Sequence, residues 1–501
     1  MDTDSTRLLK LRSGSEIRAA EHLLTDTRVE KIGYAFACWL AERQGTTPDA
    51  LRLAVARDSR PSGERIMAAL VRGITAADSD VWDCGMCAAP ALFMTTRAGD
   101  PAPANGAVMV TAGRAAEALN GLKFFTGEGG LRDADTAEIL ARAARAEVPE
   151  RLVVKVDAAG QYEEHLRRVA AQYLEDDALK PLLGLRVVVD ARGAVGRDYA
   201  RLLESLGVDT EGSLLPEEGS GDIITDPEDP TALAALKRAV LDRRADLGVI
   251  FDADGERAAL VDQNGKAIDH NRLIALTAAM LLDQKPGSTF VTDSVTSSGL
   301  SAFIAEWGGI HYRFKRGYRN VIEEAVRLNA EGIDCPLAIE TSGHAAFREN
   351  GFLNDGIYLA TRILCEALNR KREGQTLSHL IEGLKEPVET VEIRLPILEY
   401  QDWESEEEAQ EIVEIILSHT LENPAWQAAP DSREGVRITF NLDGGINNAW
   451  FQLRMSVHDP VMPLNAESDV PGGVKRILAQ LYELIRGTEL LDLEPLRREL
   501  E

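Results

Sequence analysis

Runs of apolar residues alternate along this chain with stretches of helical spacing, a pattern that predicts an α/β protein. Within residues 1–165, Val29 to Gln44 places Ile32, Ala35, Phe36 and Trp39 on one helical face. Leu51 to Ala56 reads as a buried strand, Glu64 to Ile74 as a helix and Val81 to Cys84 as the next strand. Pro90 to Thr96 opens a further helix with proline in its first turn. Ala107 to Thr111 is another buried strand, Asn120 to Phe125 a hairpin-like return, and Asp133 to Ala146 a helix. Residues 166–272 repeat the pattern. A helix ends at Tyr173-Leu174, a strand covers Leu185 to Asp190, and a glycine-bearing turn leads into a helix to Leu206. A helix from Pro227 to Arg244 follows, and then the apolar runs Leu247–Phe251 and Ala258–Val261.

Residues 273–388 repeat it once more. Helices are predicted over Leu273–Leu282, Leu300–Trp307, Val321–Leu328 and Asp355–Asn369, and strands over Thr289–Thr292, His311–Phe314 and Leu337–Ile339. Residues 389–501 differ, with strands over Val391–Leu395, Val436–Phe440 and Ala449–Leu453 and helices over Glu406–His419 and Val474–Arg486. They form a smaller α+β domain. Three successive α/β segments of similar length predict a duplicated domain, without a strong residue-level repeat.

Composition narrows the function classes. A chain of 501 residues is too long for one core. Lys and Arg total 55 against 82 Asp and Glu, a net charge of −27, which argues against nucleic acid or an anionic membrane as partner. A phosphorylated substrate would then need a local cluster of Arg, Lys or metal. The polar, acidic start Met1-Asp2-Thr3-Asp4-Ser5 lacks an apolar signal segment, and no apolar run reaches membrane-spanning length. Five cysteines in a chain of this length predict a reducing compartment, with the cytoplasm as the expected location. The lone Cys84-Gly85-Met86-Cys87 pair has no second pair to complete a zinc site and reads as two ordinary thiols.

Four polar loops carry candidate chemistry. Between the apolar runs that flank it lies Asp252-Ala253-Asp254-Gly255-Glu256-Arg257, and Asp262-Gln263-Asn264-Gly265 beyond reads as a hairpin turn. Three carboxylates so close repel one another unless a cation sits among them. A hard ion such as Mg²⁺ suits all-oxygen ligands, and the alternative is an acidic surface turn. The loop Arg57-Asp58-Ser59-Arg60-Pro61-Ser62-Gly63 follows a strand end, where ligands bind in α/β sheets, or is a solvated turn. The turn Arg192 to Arg197 lacks the full dinucleotide fingerprint. Arg454-Met455-Ser456-Val457-His458-Asp459-Pro460 directly follows a strand. Its Arg, Ser and His could hold a phosphate, or it is an ordinary loop.

Taken in order, these loops resemble the α-D-phosphohexomutase superfamily of phosphoglucomutases and phosphomannomutases, over essentially the whole chain. The family's D-x-D-x-D-R loop is matched by Asp252 to Arg257, its G-E-x-S-G-H by Glu340-Thr341-Ser342-Gly343-His344, and its R-x-S-x-T-E-P by Arg454 to Pro460. Glu16-Ile17-Arg18 is similar to D-I-R-G, Arg57-Asp58-Ser59-Arg60 to G-R-D-x-R, and Asn120-Gly121-Leu122-Lys123 to N-G-x-K. The resemblance implies a four-domain α/β fold around a central cleft: domain I over 1–165, II over 166–272, III over 273–388, and an α+β domain IV over 389–501. It also implies a Mg²⁺-dependent transfer of a phosphoryl group between C1 and C6 of a hexose phosphate, with a glucose 1,6-bisphosphate-type activator.

One motif departs from the family. Thr111-Ala112-Gly113-Arg114-Ala115-Ala116 stands where T-A-S-H-x-P is expected, so Gly113 takes the place of the phosphorylated serine. Glycine has no oxygen to carry a phosphoryl group, and losing a nucleophile costs on the order of 10⁴–10⁶ in rate. The third metal carboxylate is Glu256, one methylene longer than the family's Asp. The remaining roles the resemblance implies are Asp252, Asp254 and Glu256 on Mg²⁺, with Lys123 and Arg257 beside the transferring phosphoryl group. Arg18, Glu340, Ser342 and His344 face the sugar phosphate, and Arg454, Ser456 and His458 clamp the distal phosphate. Arg114 either takes over a charge role at the vacated position or has drifted. Two readings follow. One is a phosphohexomutase whose activity is lost or altered. The other is a non-catalytic sugar-phosphate sensor or the regulatory partner of an active mutase. The chain is expected as a monomer or homodimer, with room for a protein partner. The sugar is left open among glucose, mannose and glucosamine phosphates.

Overall fold

The computed structural model describes residues 7–98, 102–148, 154–174, 180–217, 223–398, 403–456 and 459–501. The chain divides into two compact units. The first comprises Met1–Asp269, Ser342–Ala346 and Asn350–His379, and the second His270–Thr341, Phe347–Glu349 and Leu380–Glu501.

The first unit holds two sheets in full. In the larger, strands run in the order Arg12–Ser13, Glu16–Ala20, Leu119–Thr126, Gly106–Val110, Arg52–Arg57, Asp80–Met86 and Val154–Lys155. The strands Arg52–Arg57, Gly106–Val110 and Asp80–Met86 pair in parallel, and Leu119–Thr126 returns antiparallel. The interior of Arg52–Arg57 and all of Gly106–Val110 are buried, as expected of parallel strands covered on both faces. Arg57 lies level with Val110, so the loops after these two strands leave the same edge of the sheet side by side. Helix Asp26–Gln44 buries Ile32, Ala35, Phe36 and Trp39, the face that its spacing predicts.

The second sheet of this unit orders Ala267–Ile268, Ala258–Asp262, Leu247–Phe251 and Val187–Val189. Leu247–Phe251 pairs antiparallel with Ala258–Asp262 and closes at Phe251 opposite Ala258, which makes 252–257 a tight connection. The strand expected over Leu185 to Asp190 is shorter, Val187–Val189. Helix Gly356–Arg372 also belongs to this unit, and Asp355 caps it by accepting a bond from the Tyr358 amide at 2.8 Å.

In the second unit, Ile310–Arg313, Thr289–Thr292 and Leu337–Ile339 are parallel neighbours, so their C-terminal ends share one edge. The C-terminal sheet is antiparallel throughout, in the order Glu389–Pro396, Val461–Ser468, Ala449–Leu453, Val436–Phe440 and Gln427–Ala428. Its core gathers Leu395, Phe440, Phe451, Leu464 and Ile477. The strand Val461–Ser468, between two others in this sheet, is absent from the sequence expectations.

Candidate functional site

In the first unit the acidic connection is buried rather than exposed: Asp252, Asp254, Glu256 and Arg257 are each at most 3% accessible. Arg257 closes on Asp252 twice, through its amide to Oδ1 at 3.1 Å and its Nε to Oδ2 at 2.9 Å. Its other nitrogens reach Glu228 at 3.0 Å and Asp226 at 3.2 Å. Lys123, carried in by the antiparallel strand Leu119–Thr126, donates to Asp254 Oδ2 at 2.7 Å and Glu256 Oε2 at 2.9 Å. Its Nζ is also 3.7 Å from Glu16, which in turn pairs with Arg18 at 3.1 Å. Asn354 donates a second bond to Glu256 Oε2 at 3.0 Å. Burial, then the Asp254 charge, pushes the Asp252 carboxyl up to about 7. Burial pushes Glu256 up to about 8. Burial acts on Asp254 in the same sense, but Lys123 outweighs it and holds the group below the usual carboxylate range.

The loop that follows Gly106–Val110 meets the loop that follows Arg52–Arg57. Arg60, fully buried, donates to four carbonyls of this loop: Gly113 at 2.5 Å, Ala115 at 2.8 Å, and Ala116 and Leu119 at 2.9 Å. Its Nε is held by Asp58 at 3.1 Å. Thr111 donates to Asp58 Oδ2 at 2.7 Å and accepts from the Gly113 amide at 3.0 Å. Gly113 itself is buried with φ of +57°, and a Cβ there would meet Asp254 Oδ2 at 3.6 Å. Arg114, half exposed, pairs with Glu228, the same carboxylate that Arg257 uses. Ser342 and His344 lie in this unit as well, with Ser342 Oγ 2.8 Å from His344 Nδ1. Burial and the nearby Arg257 and Lys123 charges hold His344 well below its ordinary value, so it is neutral.

In the second unit, loops from the shared strand edge bring Asp293, Ser294, Arg316, Gly317 and Glu340 together with the Arg454 region. Glu340 accepts the Gly317 amide at 2.6 Å. Burial, then the Asp293 charge, pushes its carboxyl up to about 8. Thr341 bonds Asp293 at 2.6 Å. Arg454, directly after Ala449–Leu453, is 4% accessible and donates to the Met455 carbonyl at 3.2 Å. Glu434 accepts the Ser294 hydroxyl at 2.6 Å and the Arg316 amide at 3.1 Å, with Arg454 Nε at 3.8 Å. Ser456 Oγ accepts the Asp459 amide at 3.3 Å. His458 lies outside the described residues.

Comparison with known proteins gives this geometry a lineage. Residues 10–150, 161–265 and 269–387 match the models for phosphoglucomutase/phosphomannomutase alpha/beta/alpha domains I, II and III. The phosphoglucosamine mutase of Symbiobacterium thermophilum is 30% identical over 470 residues, covering 92% of this chain and 94% of that protein. The chain belongs to the phosphoglucomutase/phosphomannomutase family. Its fold is the phosphohexomutase one, three α/β domains followed by a further C-terminal domain. A phosphoglucomutase/phosphomannomutase family protein of Burkholderia thailandensis superposes with a TM-score of 0.78 at 23% identity, covering 98% of this chain and 100% of that one. The N-acetylphosphoglucosamine mutase of Aspergillus fumigatus, solved with GlcNAc-6P and magnesium, has a TM-score of 0.58 at 11% identity, with 97% and 99% covered.

Membership in this family raises the question of magnesium. Here the carboxylates of the acidic loop are engaged by the chain's own cations. Both Asp252 oxygens face Arg257, and Lys123 stands between Asp254 and Glu256. Asp254 Oδ1 is buried without a partner among the described residues and could serve as one ligand. No group of three or more His, Cys, Asp or Glu side chains among the described residues is arranged to hold a metal ion. In this arrangement Lys123 and Arg257 balance the charge of the three carboxylates that the resemblance assigns to Mg²⁺. An ammonium within 3 Å of two carboxylates already supplies the countercharge.

Several participants carried no local sequence signal. Glu228, Asp226 and Asn354 reach the acidic loop from 29 to 98 residues away. Arg60 stood in a loop flagged as polar, but its four carbonyl partners all lie more than 50 residues on. Among the described residues no helix is long and apolar enough to cross a membrane.

Proposed function

We propose that this chain binds a hexose phosphate and does not turn it over by a phosphoserine route. The observation that carries the reading is the loop tip at Gly113. The family reaction needs an oxygen that gives its phosphoryl group to the sugar and takes the other one back. Gly113 has none. The neighbouring hydroxyl of Thr111 is 1% accessible, with its proton on Asp58 and a lone pair on the Gly113 amide. A hydroxyl so engaged is neither exposed to a phosphate nor next to a free base.

The binding apparatus remains. Arg454 and Ser456, with His458, suit a phosphate monoester. In the first unit Ser342 and neutral His344 suit sugar hydroxyls, and in the second unit Glu340 does. Lys123, on the Asp254 carboxylate that faces Gly113, and Arg114, the next residue, supply positive charge there, and Arg257 and Arg18 add charge elsewhere in the first unit. Bound magnesium would add Lewis-acid charge at Asp254, the position with an unpartnered oxygen. An amino sugar phosphate belongs in the ligand panel, given the phosphoglucosamine mutase relative. A role as sensor or regulatory partner of an active mutase fits binding without turnover.

Two measurements test this reading. Intact-protein mass after incubation with glucose 1,6-bisphosphate is expected to show no added phosphoryl group. A ³¹P NMR time course with hexose 1- and 6-phosphates, Mg²⁺ and the bisphosphate is expected to show no interconversion, while calorimetry with the same panel shows binding. Turnover by the wild-type chain, or phosphate on Thr111, would overturn the proposal. A Gly113→Ser, Arg114→His double variant run alongside reports whether the remaining apparatus is competent.

A further inference from the structure

We propose that Glu434 is a resident carboxylate seated where a phosphate monoester would bind at Arg454, so that a ligand enters only by displacing it. The proposal rests on the reading of Arg454 as the phosphate anchor and adds a device the family resemblance does not supply.

The seat has the donors of an anion site. Glu434 Oε2 takes a hydroxyl from Ser294 and a backbone amide from Arg316, from loops that leave the same sheet edge. The third side is the guanidinium of Arg454. A dedicated Arg–carboxylate pair closes to about 2.8 Å. Here the separation is 3.8 Å, and Arg454 Nε is buried without a hydrogen-bond partner. The carboxylate therefore fills the seat without satisfying it. A tetrahedral phosphate, with three terminal oxygens, can meet the hydroxyl, the amide and Nε together, which a planar carboxylate does not do here.

Charge points the same way. Arg316 and Arg454 share their surroundings with Glu434, Asp293 at 4.0 Å from Arg316 and Glu392 at 3.8 Å from it. With Glu434 in place a dianion would join three carboxylates and two guanidiniums. With Glu434 swung out it finds a better balance. The backbone of this segment is fixed. Gly435, at φ of +55°, presses so closely on the next strand that a Cβ would lie 2.1 Å from the Leu453 carbonyl. The Glu434 carbonyl accepts Gln452 at 3.1 Å. Displacement is thus a rotation of one side chain that is 13% accessible. Its expected effect is selective: the seat rejects weak anions and yields to a ligand whose sugar contributes further contacts.

The test is calorimetric titration of the full chain with inorganic phosphate and with glucose 6-phosphate, for wild type, Glu434→Gln, Glu434→Ala and Arg454→Ala. Glu434→Ala is expected to tighten inorganic phosphate by about tenfold or more, equivalent to about 1.4 kcal/mol. Glu434→Gln keeps the shape and the acceptor oxygen and should tighten it less, and Arg454→Ala should abolish binding. Unchanged or weaker binding in both Glu434 variants, with Arg454→Ala still abolishing it, would overturn the proposal and leave Glu434 as a positioning residue for Arg454. Binding that ignores Arg454→Ala, or no binding by any of the four, would remove the anchor reading and the proposal with it. Thermal unfolding of Glu434→Gln checks that the fold is intact.

Discussion

Lys123 decides how the acidic loop carries its charge. A buried carboxylate is costly unless it is paired and hydrogen-bonded, and Lys123 serves two at once. Removing one partner of such a buried arrangement costs about 3–5 kcal/mol because the other partner stays behind. Lys123→Met should therefore lower the melting temperature sharply. Because the ammonium stands where a cation would otherwise balance Asp254 and Glu256, Mn²⁺ should raise the melting temperature of the variant more than that of the wild type. Equal shifts in the two proteins would show that metal and ammonium do not compete. Gly113 works through backbone rather than charge. At φ of +57° an L side chain costs about 1 kcal/mol, so a serine placed there meets Asp254 at ordinary van der Waals distance but a strained backbone.

Most of the stretch 113–119 is exposed, and Arg60 holds it from a neighbouring loop through four carbonyls. Arg60→Met would leave four carbonyls and the Asp58 carboxylate without their donor, each a loss of roughly 1–3 kcal/mol where the group stays buried. Hydrogen exchange in peptides covering 113–119 should accelerate by more than tenfold in that variant. Unchanged exchange would mean that the loop is held by something else. This dependence on distant partners explains what the sequence could convey. Helices Asp26–Gln44 and Gly63–Ala76 and the strands Leu337–Ile339, Val436–Phe440 and Ala449–Leu453 follow from local periodicity, because one buried face sets each pattern. The order of the acidic, Glu340–His344 and Arg454 loops in the sequence points to the family. In Val461–Ser468 the alternation of Met462, Leu464 and Ala466 is weakened by Pro463, which argues locally against a strand. The strand is held by pairing on both sides, and Trp450 bonds Glu467 at 2.9 Å. Glu434, and the partners of Lys123 and Arg60, were beyond local reading for the same reason: those contacts are brought close only by the fold.

Across the whole molecule, buried acids set the response to pH. Asp252 at about 7 and Glu256 and Glu340 at about 8 retain protons in the folded chain that an unfolded chain has released above pH 5. A raised carboxyl pKa contributes stability at acid pH that is lost as pH climbs toward the folded value. His311 and His344 are pushed the other way and oppose the trend until about pH 7.5, above which they are neutral in both states. Between pH 7.5 and 8.5 stability should therefore fall with rising pH, by up to about 2.7 kcal/mol per pH unit from Glu256 and Glu340. Melting curves recorded in EDTA across this window should show the decline, and Glu340→Gln should flatten it. A level or rising wild-type curve would show that these protons are not held.

The two units do not follow one another along the chain. Helix Gly356–Arg372, whose buried face includes Ile357, Leu359, Ile363 and Leu364, belongs with residues before Asp269, and the first unit closes only at His379. On a ribosome making about 5–20 residues per second, the first 269 residues would wait roughly 5–20 s for their last helix to be synthesised. The apolar ground which that helix covers stays open throughout, so the first unit cannot finish folding before much of the second has already been made.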